Sequence, residues 1–161
     1  MAGVGNVLRG DDGFGPEVIS RLGPLPEGVE AIETGIGGVA LLGELLGGCS
    51  GLVLVDAVDR GAEPGTLFEL EPEVLDGVHV ADVHLANPDR VLSIAKTMGA
   101  LPERVRIVGC QPGEVDVLGG GLTEPVADAV QRAVAVVDRI VATWLKAPME
   151  LTEPLGYGLR S

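Results

Sequence analysis

Apolar runs of strand length alternate along the chain with stretches of helical periodicity. The clearest strand is the continuous apolar run at 51–55, which ends in Asp56 and is typical of a strand buried on both faces. The pattern predicts four further strands, at 1–4, 29–33, 65–70 and 105–110. The alternation of strands with helices predicts an α/β fold, built as three layers with a parallel or mixed sheet in the middle.

Four amphipathic segments lie between or after these strands. Helices are expected to begin near Pro16 and Pro88, because proline lacks the backbone N–H that a first helical turn leaves unpaired. The longest helix is expected to start after Thr123, and a further helix follows residue 38. We expect the inner face of that helix to consist of Val39, Leu42, Leu45 and Leu46.

The chain has 161 residues, which is the size of one ordinary domain. We expect this domain to span 1–147 and a flexible tail to span 148–161. Hydrophobic residues make up 46% of the chain and aromatic residues only 2%, so the core is expected to be aliphatic. Only Met1 and Ala2 precede Gly3, so we expect the first strand to be truncated.

The net charge limits the classes of binding partner, and the cysteine content indicates the cellular compartment. The net charge of −13 argues against nucleic acid and anionic membranes as partners, and no apolar run is long enough to cross a bilayer. Cys49 and Cys110 are expected to be buried, reduced thiols, because two cysteines without metal-site spacing do not form a disulfide scaffold. We therefore expect a cytoplasmic protein.

Three candidate ligands fall at the carboxyl ends of predicted strands or before helix starts, where α/β sheets bind their ligands. Asp12, with Asp11 beside it, follows the first strand; Asp56 ends the third; His84 precedes the helix at Pro88. Two carboxylates and an imidazole suit nickel, zinc or iron. The structural alternative is that the acids occupy a helix start and a turn, and that His84 is an ordinary loop histidine. His79 is a less favoured rival for the imidazole position.

Other chemistries have weaker support. The glycines at 3 and 5 do not complete a dinucleotide-binding motif, since Leu8 stands where the third glycine belongs, and the acidic pair that follows would repel phosphate. No serine has the setting of a nucleophile elbow. A small-molecule or nucleotide-binding α/β domain stays open as an alternative function.

The segment 3–15 reads Gly-Val-Gly-Asn-Val-Leu-Arg-Gly-Asp-Asp-Gly-Phe-Gly and closely resembles the opening motif of the hydrogenase maturation proteases. The segment 52–57, followed by Pro-Gly-Thr at 64–66, resembles the second acidic motif of that family. His84 precedes Val91 at the spacing the family shows, and the resemblance extends over 3–145.

This resemblance implies a twisted, mostly parallel five-stranded sheet and one activity, removal of a C-terminal extension from a nickel-iron hydrogenase large-subunit precursor. It implies that Asp12, Asp56 and His84 bind nickel, which the precursor itself supplies as a recognition signal. Asp12 or Asp11 would be the base that activates water. We expect a monomer that docks alone on the larger precursor, and no organic cofactor. A non-catalytic docking factor for the same precursor is the remaining alternative.

Overall fold

The alternating apolar and amphipathic segments fold into a five-stranded sheet between two layers of helices. The computed structural model describes residues 1–35, 38–73 and 88–147. The strands are β1 (Ala2–Val4), β2 (Ile32–Gly35), β3 (Gly51–Ala57), β4 (Leu67–Leu70) and β5 (Arg104–Cys110). The helices are α1 (Phe14–Ser20), α2 (Gly38–Leu46), α3 (Pro88–Thr97) and α4 (Glu124–Lys146), and a 3-10 turn spans Gly10–Gly13.

The strand order is β2-β1-β3-β5-β4, with β4 antiparallel to β5 and every other pair parallel. The predicted mostly parallel sheet with an edge strand near 65–70 is therefore confirmed. β2 is added on one side of β1, whereas β3, β5 and β4 lie on its other side. This reversal opens a crevice at the carboxyl ends of β1 and β3, where ligands bind in such sheets.

Alternate residues of the central strands belong to two separate aliphatic cores, because successive side chains of a strand point to opposite faces of the sheet. Val53 and Val55 pack in the core that α1 and α4 cover. Leu52 and Leu54 pack in the core that α2 and α3 cover. The predicted three-layer arrangement is thus observed, and it holds β3 rigidly at the centre of the molecule.

Several predicted details of the helices and strands differ from the structure. The prediction for the inner face of α2 was right for Leu45, which is buried, and for Leu42, which is partly buried against the core. It was wrong for Val39 and Leu46, which are 62% and 51% exposed, and it missed the buried Leu41. This helix is apolar on nearly every side, so periodicity could not select its buried face. The second strand lies at Ile32–Gly35, later than the predicted 29–33.

The start of α1 and one cysteine also differ from expectation. The helix begins at Phe14, two residues before Pro16, because the 3-10 turn leads directly into it. Cys110 is buried as predicted, but Cys49 is exposed, since it follows the end of α2 in a surface turn. β1 has three residues and pairs with both β2 and β3.

Within 1–35, 38–73 and 88–147, none of the helices combines the length and hydrophobicity needed to traverse a lipid bilayer. The predicted tail at 148–161 and most of the predicted acidic loop at 71–86 lie outside the described residues.

Candidate active site

The crevice at the carboxyl ends of β1 and β3 forms a cleft of about 890 Å³, within the usual size range of ligand sites. Residues from the loop after β1, the end of β3, the segment after β4 and the start of α3 line it. Its charged residues are Asp12, Asp56, Asp59, Glu71, Glu73 and Asp89 on the acidic side and Arg9 and Arg60 on the basic side. This excess of negative charge favours a cation over a phosphate.

Asp12 reaches the cleft from the 3-10 turn. Gly5 has a φ of +133°, and a Cβ at this position would lie 1.8 Å from the carbonyl oxygen of Asp12, so only glycine lets the chain pass so close. The backbone N–H of Asn6 donates to Oδ2 of Asp12 at 2.9 Å. Within the described part of the chain, the other carboxylate oxygen of Asp12 accepts no hydrogen bond, which leaves it available to a ligand.

Asp56 enters the same cleft from β3. The pKa of Asp56 is raised to about 7, mainly because the carboxyl is buried. The hydrogen bond from the N–H of Ala57 opposes this shift, and the negative charges of Asp12 and Asp89 add to it. Asp12 and Asp56 are far apart in sequence, yet the fold brings them into electrostatic contact, as the strand-end argument predicted. Such shifted carboxylates are typical of functional sites, because a stable fold alone would not select them.

Asp11 occupies a different environment, although it is adjacent to Asp12. Its side chain is fully buried, and its carboxylate accepts hydrogen bonds from the N–H groups of Gly113, Glu114 and Thr123 at 2.7–2.9 Å. The hydroxyl of Thr123 also donates to it. Burial alone would raise the pKa of Asp11, but these hydrogen bonds outweigh burial and lower it. This geometry argues against Asp11 as the base and favours Asp12.

The two histidines, His79 and His84, lie outside the described residues. Glu73 and Pro88, the described residues on either side of that segment, both line the cleft. Among the residues that the structure describes, no group of three or more His, Cys, Asp or Glu side chains is arranged to hold a metal ion. The assignment of His84 as a ligand therefore stays a prediction.

Gln111 does not line the cleft, but it holds the loop that carries Asp59 and Arg60, and the sequence did not predict this role. Its side-chain oxygen accepts hydrogen bonds from the N–H groups of Arg60 and Ala62 at 2.7 and 3.2 Å. Its side-chain nitrogen donates to Oδ1 of Asp59 at 3.0 Å. Gln111 thus fixes the loop after β3, and the available signal was a polar residue directly after a buried strand.

Comparison with known proteins identifies the family to which this architecture belongs. The sequence model of the hydrogenase maturation proteases matches residues 16–140, which is more than half of the chain. The chain belongs to the hydrogenase maturation protease family. This chain is therefore a peptidase, and the predicted resemblance to that family is confirmed.

Individual relatives of the protease support the same assignment. The hydrogenase expression/formation protein HupD of Rhizobium leguminosarum bv. viciae is 32% identical over 89% of this chain and 74% of its own length. A putative hydrogenase maturation protease of Methanocaldococcus jannaschii is 34% identical over 85% of this chain and 92% of its own.

Solved structures show that the fold is shared as well. The hydrogenase maturating endopeptidase HybD from Escherichia coli superposes with a TM-score of 0.71 and 26% identity, over 89% of this chain and 91% of that one. The maturation protease HycI from Thermococcus kodakarensis gives a TM-score of 0.66 and 26% identity, over 88% and 90% of the two chains.

The arrangement of charges in the protease can do two things chemically. A cation in the cleft would relieve the repulsion between Asp12 and Asp56, since each contributes negative charge to the site. A carboxylate with a free oxygen, such as that of Asp12, can also accept a proton from an attacking water.

We predict that Asp11→Asn destabilises the protease, because an amide cannot accept all the hydrogen bonds that the buried carboxylate accepts. The free energy of unfolding at pH 7, measured by urea denaturation, should fall by about 2–4 kcal/mol. Since its hydrogen bonds lower the pKa of Asp11, its stabilisation is complete above the usual value of 3.8 and is lost as the pH falls through the lower folded-state pKa.

The matched control is Asp116→Asn, at a carboxylate that is 85% exposed and pairs with Arg9 on the surface. This variant should change the free energy of unfolding by less than about 0.5 kcal/mol. An unchanged stability in Asp11→Asn would contradict the structural role of Asp11.

We predict that Asp56→Asn stabilises the protease at alkaline pH. Because the folded-state pKa of Asp56 is raised to about 7, its contribution to stability declines as the pH rises from about 4 through 7. A neutral amide does not titrate, so the variant should melt at a higher temperature than wild type at pH 8. Its free energy of unfolding at that pH should be larger by roughly 1–3 kcal/mol. At pH 4 the two proteins should melt nearly together.

The control for this titration is Asp128→Asn, at an exposed carboxylate on α4. Its melting temperature relative to wild type should be the same at pH 4 and pH 8. A constant difference between Asp56→Asn and wild type across this range would show that the pKa of Asp56 is not raised.

Proposed function

We propose that this chain is the endopeptidase that removes the C-terminal extension of a nickel-iron hydrogenase large-subunit precursor after nickel insertion. The observation that carries this proposal is the meeting of Asp12 and Asp56 in one acidic cleft, in a chain of the hydrogenase maturation protease family. The nickel belongs to the substrate and marks a precursor that is ready to be cut.

The small set of donors explains why the protease would recognise a nickel ion in the precursor without binding the ion permanently. Asp12 and Asp56 supply two carboxylates, and a His84 imidazole would complete a set of three. His84 precedes Pro88 by four residues, which span at most about 14 Å of extended chain, and Pro88 lines the cleft. Three donors of this kind bind nickel moderately, so an ion already held by the precursor can complete its coordination here and leave with the product.

Hydrolysis needs a water oxygen to attack the carbonyl carbon, a base to take the proton of that water, and a proton for the leaving nitrogen. In our proposal the free oxygen of Asp12 accepts the proton from water, and the same group returns it to the nitrogen as the C–N bond breaks. The rigid loop from Gly5 to Asp12 orients this carboxylate, because the Asn6 N–H holds its other oxygen. The acidic wall of the cleft also favours a basic side chain near the cut.

The direct test mixes the purified protease with nickel-loaded precursor and follows the intact mass of the precursor. We predict one cut with wild type, and no cut when the precursor lacks nickel. Asp12→Asn, Asp56→Asn and His84→Ala should each slow trimming at least about 100-fold, because each removes a donor to the ion.

The control variant is Glu17→Gln on the surface of α1, which should trim at the wild-type rate. Normal trimming by any two of the three site variants would refute the site. A stable complex in which the precursor keeps its full mass would identify a docking factor and overturn the peptidase assignment to this substrate. Equal trimming of nickel-free precursor would refute recognition through nickel.

A further inference from the structure

A cluster of exposed apolar side chains stands on two loops beside the cleft. Val7 and Leu8, in the loop after β1, are 60% and 64% exposed, and Leu118, in the loop between β5 and α4, is 77% exposed. We call this cluster the apolar ridge; its members are Val7, Leu8, Val115, Val117 and Leu118. Single exposed apolar residues are common on proteins, but a cluster on adjoining loops is typical of an interaction site.

Backbone contacts join the two loops into one surface, although more than a hundred residues separate them in sequence. The N–H of Gly119 donates to the carbonyl oxygen of Leu8 at 2.9 Å. Arg9 and Leu118 form an antiparallel bridge, and the Arg9 side chain pairs with Asp116. The ridge is therefore a continuous feature of the folded chain.

The ridge is also held rigidly from below. The Asp11 carboxylate accepts hydrogen bonds from the N–H groups of Gly113 and Glu114, and the Asp11 N–H donates to the Glu114 carbonyl at 2.7 Å. Gly10 has a φ of +47°, and a Cβ there would lie 2.4 Å from that same carbonyl oxygen, so the close approach requires glycine. A surface ordered in this way loses little conformational entropy when a partner binds.

The ridge is continuous with the cleft. Asn6, Arg9 and Asp12 line the cleft, and Val7 and Leu8 lie between the first two of them in the chain. A protein seated on the ridge would therefore present its neighbouring segment to Asp12. The cleft carries many charged side chains, whereas the ridge beside it exposes apolar side chains that can supply binding energy for a folded partner.

We propose that the apolar ridge is the docking surface for the folded body of the precursor, which binds through an apolar patch next to its C-terminal segment. This inference rests on the proposed function. A second copy of this chain is disfavoured as the occupant, because two chains with a net charge of −13 repel each other and a copy on the ridge would cover the cleft.

The test is the double variant Leu8→Ser and Leu118→Ser, assayed for trimming of nickel-loaded precursor. The KM should rise at least about tenfold while kcat stays within about threefold, because the variant weakens docking and leaves Asp12 and Asp56 in place. The matched control is Leu46→Ser with Met98→Ser, at side chains that are 51% and 52% exposed on α2 and just after α3. This control should keep the wild-type KM.

Direct binding of the precursor to immobilised protease separates this inference from the proposed function. Loss of binding by the ridge variant but not by the control supports docking, even if wild type fails to cut. Wild-type KM and wild-type binding in a folded ridge variant would overturn the docking surface while trimming by wild type still stands. Sedimentation that finds a wild-type dimer and a monomeric ridge variant would also overturn it, since the ridge would then be a self-association surface.

Discussion

The candidate site depends on one buried carboxylate. Asp11 is completely shielded from solvent and binds the N–H groups of Gly113, Glu114 and Thr123. It thereby ties the 3-10 turn after β1 to the loop after β5 and to the start of α4. A buried charge is tolerated only where hydrogen bonds replace its hydration, so these three segments cannot separate without a large energetic cost. The turn that carries Asp12 is fixed as a consequence.

Strand order supplies the second half of the site. Because β1 and β3 are neighbours with the same direction, the segments that follow them meet at the point where the sheet reverses its direction of growth. Asp12 comes from the first of these segments and Asp56 from the end of β3. Their proximity is electrostatically unfavourable, since burial and like charge both raise the pKa of Asp56. A cation bound between the two carboxylates would relieve this repulsion, and the relief would contribute to the affinity of the site for the cation.

Much of the fold could be predicted because its strongest elements have unambiguous patterns. The continuous apolar run of β3 and the long stripe of α4 each admit one interpretation, and both are observed. The buried face of α2 could be predicted only in part, since Val39 and Leu46 are as apolar as the leucines that it buries. Hydrophobic periodicity assigns a face only when the opposite face is polar.

The site was predictable to the level of its strand ends. Asp56 ends the apolar run of β3, and that position predicted its place in the crevice. The sequence could not distinguish the roles of Asp11 and Asp12, because two adjacent acids differ only in the direction that the 3-10 turn gives their side chains. The N–H groups that donate to Asp11 lie more than a hundred residues away, so a local sequence pattern could not predict them. His84 stays a prediction, since it lies outside the described residues.

The fold brings Asp12 and Asp56 into one electrostatically coupled site. The most direct measurement is an NMR titration of the Asp56 carboxyl carbon in wild type and in Asp12→Asn, without added metal. We expect a pKa of about 7 in wild type and a lower pKa in Asp12→Asn, because the variant removes a neighbouring negative charge. A pKa near the usual 3.8 that is unchanged by Asp12→Asn would show that the two carboxylates do not share a site.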